Sequence, residues 1–166
     1  MDLDLRTAQW QTGGALELTS QIHDLTTEAH IQRRDKMNPN DAEMIRVYSR
    51  EVGGQILDET FPSGGAVEIA VDCEAGTSIF GLGAPFTLTI YVRDLMENFE
   101  IDDRQTITGA LGGAKWPTAA RTHEFKVSGP FLQEGHVFNV LAVLTVGAAD
   151  PKPIVDFAES NLFVMT

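Results

Sequence analysis

Two stretches of this chain alternate so regularly that the faces of their strands can be assigned residue by residue. From 66 to 73 the odd positions hold Val67, Ile69, Val71 and Cys73, and the even positions hold Ala66, Glu68, Ala70 and Asp72. From 86 to 93, Phe86, Leu88, Ile90 and Val92 share one face while Thr87, Thr89, Tyr91 and Arg93 share the other. Successive side chains of a strand point to opposite sides, so a period of two marks half-buried antiparallel sheet. Val67, Ile69, Val71, Phe86, Leu88, Ile90 and Val92 are therefore expected in one core.

The 166 residues suit a single domain spanning 1–166. At 43% hydrophobic, with nine Phe and two Trp, the chain carries enough apolar mass for a packed core. No stretch approaches the roughly 20 apolar residues that cross a bilayer. The first residues, Met1, Asp2, Leu3, Asp4, Leu5 and Arg6, lack the basic and apolar regions of a secretory signal. The single cysteine, Cys73, excludes an intrachain disulfide and fits a reducing compartment. These features predict a cytoplasmic protein.

Net charge is −12, from 24 acids against 12 bases. Such a chain is repelled by phosphate backbones and anionic lipid, so neither nucleic acid nor membrane is an expected partner. The bases are unevenly placed. Arg33, Arg34 and Lys36 cluster, Arg46 and Arg50 follow, and no Lys or Arg then occurs before Arg93. Arg46 and Arg50 thus mark a small basic patch for a ligand or partner, against the plainer reading of a solvated charged face.

Residues 3–10 read as an N-terminal strand, ended by Gly13 and Gly14. The segment 15–34 fits either period, since Leu18, Ile22, Leu25 and Ala29 also lie on one helix face. A helix is expected over 39–52, within a helix-containing segment 15–54. Asn38 would cap it, Pro39 would take its first position, Asp41 would meet the positive end of its dipole, and Gly53 and Gly54 would stop it. From 55 onward the chain reads as all β. A hairpin is expected from 55–61 and 66–73 about the turn Pro62-Ser63-Gly64-Gly65. Further strands are expected at 85–93, 98–101, 105–111, 121–127, 136–146, 154–158 and 161–165. The strand at 136–146 is apolar on both faces, with Val137, Leu141 and Val143 on one and Phe138, Val140, Ala142 and Leu144 on the other. It is expected to be central and covered twice, by the 39–52 helix or by a partner. The apolar 161–165 likewise needs a partner strand or partner chain.

Motifs for chemistry are incomplete. Gly109 to Trp116 has the spacing of a phosphate loop, but Ala114 stands for the second Gly and Trp116 for the magnesium-binding hydroxyl. Gly81-Leu82-Gly83-Ala84-Pro85-Phe86 starts like a dinucleotide fingerprint, yet Phe86 replaces the third Gly and a strand follows. His23, His30, His123 and His136 show no metal-ligand spacing. His123 shares a face with Phe125 and Val127, and Cys73 falls on the apolar face of its strand; both read as core residues. The densest group of oxygen ligands is Asp94, Glu97, Glu100, Asp102 and Asp103. Were 98–103 extended, Asn98, Glu100 and Asp102 would point one way, offering a row for calcium; the same row also reads as a charged edge strand that resists pairing. Trp116 and Tyr91 are the aromatics that could stack on a sugar or a partner side chain, although Trp116 also suits a plug over the core.

The fold expected is therefore a mainly-β antiparallel sandwich, immunoglobulin-like in broad architecture, with its core over about 55–166 and one inserted helix at 39–52. The expected function is non-enzymatic: an interaction or assembly module acting through sheet faces, edges and loops, with a protein partner or a homo-oligomer and no cofactor. The alternative is a small-ligand module for carbohydrate or calcium, built on Tyr91, Trp116 or the acidic row.

Overall fold

A computed structural model describes residues 38–97, 100–147 and 152–166, which lie in one compact unit, Asn38–Thr166. The strand expected at 3–10, the segment 15–34 and Asn98 lie outside the described residues. The described residues hold nine strands: β1 (Ala42–Glu51), β2 (Thr60–Phe61), β3 (Val67–Ala75), β4 (Pro85–Asp94), β5 (Glu100–Ala110), β6 (Ala120–Val127), β7 (Val137–Val146), β8 (Ile154–Glu159) and β9 (Phe163–Met165). A short helix, α1 (Thr77–Gly81), separates β3 from β4.

The strands form a sandwich of two sheets. The smaller has the order β1-β3-β6, and the larger runs β2-β9-β7-β4-β5, with β8 also pairing β7. All pairings are antiparallel except the short parallel contact of β2 with β9. The inner faces are those the alternation assigns. Val67, Ile69 and Val71 from β3 meet Phe86, Leu88, Ile90 and Val92 from β4, each at most 2% exposed. β7 is central, flanked by β4 on one side and by β8 and β9 on the other.

Residues 39–52 form a strand and its lead-in turn, not the expected helix. The reason is a β-bulge. Met44 pairs with Cys73 and Arg46 with Asp72, so Ile45 is an extra residue in β1. Alternation on either side of the bulge is out of phase, and the inward Met44 and Val47 fall three apart, which imitates helical spacing. The supposed cap chemistry makes a turn instead: Asn38 Oδ1 accepts from the Asn40 N–H, and the Asn38 carbonyl accepts from the Asp41 N–H. The sandwich core therefore begins at β1 rather than at residue 55.

The expected hairpin of 55–61 with 66–73 is also replaced. β2 lies in the larger sheet, paired with β9, while β3 lies in the smaller. Phe61 is 1% exposed and packs edge-on against Phe163, with ring centroids 5.7 Å apart, so its burial draws the segment across the core. Pro62 to Gly65 is the crossing, its start tied to the larger sheet by the Ser63 N–H donating to the Thr166 carbonyl at 2.8 Å. The C-terminal strand thereby finds its partners, β2 and β7, within the chain.

The edges of the two sheets are laced by side chains. Asp156 of β8 accepts the Met44 N–H of β1 at 2.7 Å, and Asn161 accepts the Ser49 N–H at 3.2 Å. On the opposite edge Gln105 of β5 donates to the Lys126 carbonyl of β6 at 2.9 Å. Trp116, fully buried, closes one end of the sandwich against Phe86.

Candidate functional site

The two outward faces of the sandwich differ in chemistry. On the smaller sheet the outward face carries ion pairs. Arg46 bonds Asp72 at 2.8 Å and lies 4.2 Å from the Tyr48 ring centre; Arg50 bonds Glu68 and Glu124, each at 2.6 Å. Both arginines lie on one face, as residues four apart do on a strand as well as on a helix. Arg50 is only 4% exposed and Tyr48 5%, whereas the side chains of Arg46 and Glu124 are exposed.

The outward face of the larger sheet carries an apolar patch. Tyr91 and Arg93 of β4, Ile101 of β5, and Leu141 and Val143 of β7 line a groove of about 450 Å³. The register builds it, because Tyr91 pairs Leu141, Arg93 pairs Ile101, and Val143 pairs Phe157 of β8. Ile101, Val155 and Phe157 are all exposed. Arg93 frames the groove, donating to Asn139 at 3.0 Å and Glu159 at 2.8 Å, while Arg104 sits 5.5 Å from the Tyr91 ring centre. The expectation that β7 is apolar on both sides holds, yet the 39–52 segment does not cover its outer side, because that segment is β1 of the other sheet.

At one corner of this sheet an ionisable cluster forms. Asp94 ends β4 with its side chain 4% exposed, and its Oδ2 lies 2.5 Å from His136 Nδ1. Asp94 Oδ1 accepts the Met96 N–H at 2.8 Å, and the Leu95 N–H donates to the Val137 carbonyl at 2.9 Å, pinning the turn to the start of β7. One ligand atom from each of Asp94, Glu97 and His136 lies within 4.8 Å of the others. The hydrogen bond to Asp94 raises the His136 pKa; burial opposes it, and the charges of Asp94, Glu97 and Asp102 add to it.

The acidic row is not the regular array expected. Val92 pairs Asp103 and Arg93 pairs Ile101, so Asp102 is the extra residue of a second bulge, and alternation within β5 breaks there. Glu100 opens β5, its backbone opposite Asp94. Of the residues singled out from sequence, Tyr91 lines the groove, Arg46 and Arg50 lie in ion pairs on the opposite sheet, and Trp116 is in the core. Sequence reasoning missed the approach of His136 to Asp94, which are 42 positions apart and share no motif.

Two groups that could carry chemistry are held inert. Burial pushes the Cys73 thiol up to about 12, with the charges of Asp72 and Asp156 adding to it. Burial lowers His123 to about 4, with Arg121 adding to it, and the ring sits 5.1 Å from Trp116 and 5.5 Å from Phe86.

No protein-family model matches the chain, and no curated protein matches it. Among solved structures, a protein of Bacteroides fragilis described as "putative beta-galactosidase" aligns with a TM-score of 0.46 and 16% identity over 73% of this chain. The aligned part is 17% of that longer protein. Among the described residues no helix is long and apolar enough to cross a membrane.

Proposed function

We propose that this chain is a non-enzymatic interaction module that docks another protein against the outward face of its larger sheet. The observation that carries this reading is the contrast between the two outward faces. One carries the ion pairs of Arg46 and Arg50, and the other presents Leu141, Val143, Ile101 and Phe157 around an open groove. Apolar area gathered on one face and rimmed by Arg93, Arg104 and Glu159 has the layout of a contact surface, with an apolar centre and a polar border.

The test is Leu141→Asp with Val143→Asp, both on the outward face, so that the core is spared. Light scattering of the wild type should give a mass above 18.1 kDa, or pull-down should return a stoichiometric partner. Either property should be lost in the double variant while the circular dichroism melt persists. A wild type that is monomeric and partnerless, or a complex indifferent to the double variant, refutes the reading. A second reading, a small carbohydrate ligand, is favoured by the groove volume, which falls in the range of about 300–1,000 Å³ typical of ligand sites, and by the Tyr91 ring. It predicts that Tyr91→Ala abolishes glycan binding by a monomer.

A further inference from the structure

The corner cluster has a donor set that the outward groove does not use. We propose that Asp94, Glu97 and His136 form a binding site for a borderline divalent transition metal, of the zinc, cobalt or manganese class. The chemistry of the donors sets the class. One imidazole nitrogen with two carboxylates suits such ions, whereas calcium and magnesium prefer oxygen alone. The geometry sets the site. Ligands on one ion, each about 2.0–2.2 Å from it, stand up to about 4.4 Å apart. The three ligand atoms here lie within 4.8 Å of one another; the ion would replace the proton shared by Asp94 and His136, whose atoms at 2.5 Å would move apart as Glu97, exposed on its turn, closes in.

The surroundings orient the donors. The Met96 N–H holds one oxygen of Asp94, which turns the other toward His136. The Phe138 ring stacks on His136 with centroids 6.3 Å apart and an interplanar angle of 24°, fixing the imidazole plane. Such supports commonly hold metal-binding side chains in place. The bulge at Asp102 brings a further negative charge close enough to act on His136, adding to the field that favours a dication. Three protein donors leave coordination positions for water.

The experiment titrates the tag-free full chain with Co2+ by visible absorption and with Zn2+ and Mn2+ by calorimetry. One saturable site per chain is expected, indifferent to millimolar calcium. Glu97→Gln and His136→Gln should each weaken binding at least tenfold, and Glu74→Gln, remote on β3, should leave it unchanged. Glu97 is exposed and lies outside the strands, so its variant decides the matter even where His136→Gln lowers the melting temperature. No saturable binding, or binding equal to wild type in Glu97→Gln and His136→Gln, overturns the proposal. Neither result bears on the docking face, which Leu141 and Val143 test separately.

Discussion

His123 predicts how the fold answers acid. The ring is 3% exposed between the sheets, and its Nε2 is buried with no hydrogen-bond partner among the described residues. Burial, helped by the charge of Arg121, holds it neutral down to about pH 4, against an ordinary value of 6.5. Between those values the unfolded chain binds a proton that the folded chain refuses. Stability is therefore whole above pH 6.5 and falls as pH drops toward 4. At about 1.4 kcal/mol per pH unit, the interval from 6.5 to about 4 amounts to about 3 kcal/mol. That is a large share of the roughly 5–15 kcal/mol by which domains are stable. His123→Leu removes the titration and the orphaned nitrogen together. Urea unfolding of both proteins from about pH 7.5 to about pH 4 should show the variant gaining about 3 kcal/mol over the wild type as acid is added. Carboxylates contribute equally to both curves. So does His136, whose raised pKa gives the opposite sign: its stabilisation is present below the ordinary value and is lost as pH rises through the raised one. Parallel curves for the two proteins would falsify the assignment of His123 as a neutral core group.

Three further outcomes are expected. Ile90→Asp should fail to fold by circular dichroism, because a carboxylate at a fully buried position costs several kcal/mol with no partner; a retained melting temperature would overturn the facing of β4. Gly76→Ala should lower stability by about 1–3 kcal/mol in urea, since the added Cβ would stand 2.5 Å from the carbonyl oxygens of Asn38 and Pro39; an unchanged midpoint would show that the turn yields freely. Asp156→Ala should cost about 1–3 kcal/mol and speed amide exchange at Met44, whose N–H loses its acceptor; unaltered exchange there would mean that the lacing of the two edges is unimportant.

Legibility in the sequence follows the regularity of each strand. β3, β4 and β7 are read correctly because their alternation is unbroken and one face of each meets the core. β1 escapes because a single extra residue, Ile45, shifts the phase midway and leaves apolar spacings that suit a helix. The same defect at Asp102 breaks the alternation of β5 that the expected acidic row assumed. Bulges are satisfied by cross-strand geometry, which neighbouring letters do not display. The partner of β2 is hidden for another reason: the turn residues after Phe61 were compatible with a hairpin, and only the burial of Phe61 against Phe163 decides otherwise. The outer groove was half visible, in the two apolar faces of β7. The corner cluster was not, since Asp94 and His136 meet only through the pairing of β4 with β7.

The parallel contact between β2 and β9 has a consequence for how the chain is made. Thr166 Oγ1 donates to the Phe61 carbonyl from 105 positions away, and Phe61 is covered by Phe163. Closing so long a loop must be offset by contacts that exist only once both ends are present. During synthesis β1, β3 and β4 leave the ribosome well before β9, so a nascent chain carries Phe61 uncovered until the last described strand emerges. A stalled or truncated product lacking β9 would expose that ring together with Phe138, its other neighbour across Phe163. A chain stalled before β9 would thus offer chaperones one predictable place, the seam that β9 closes.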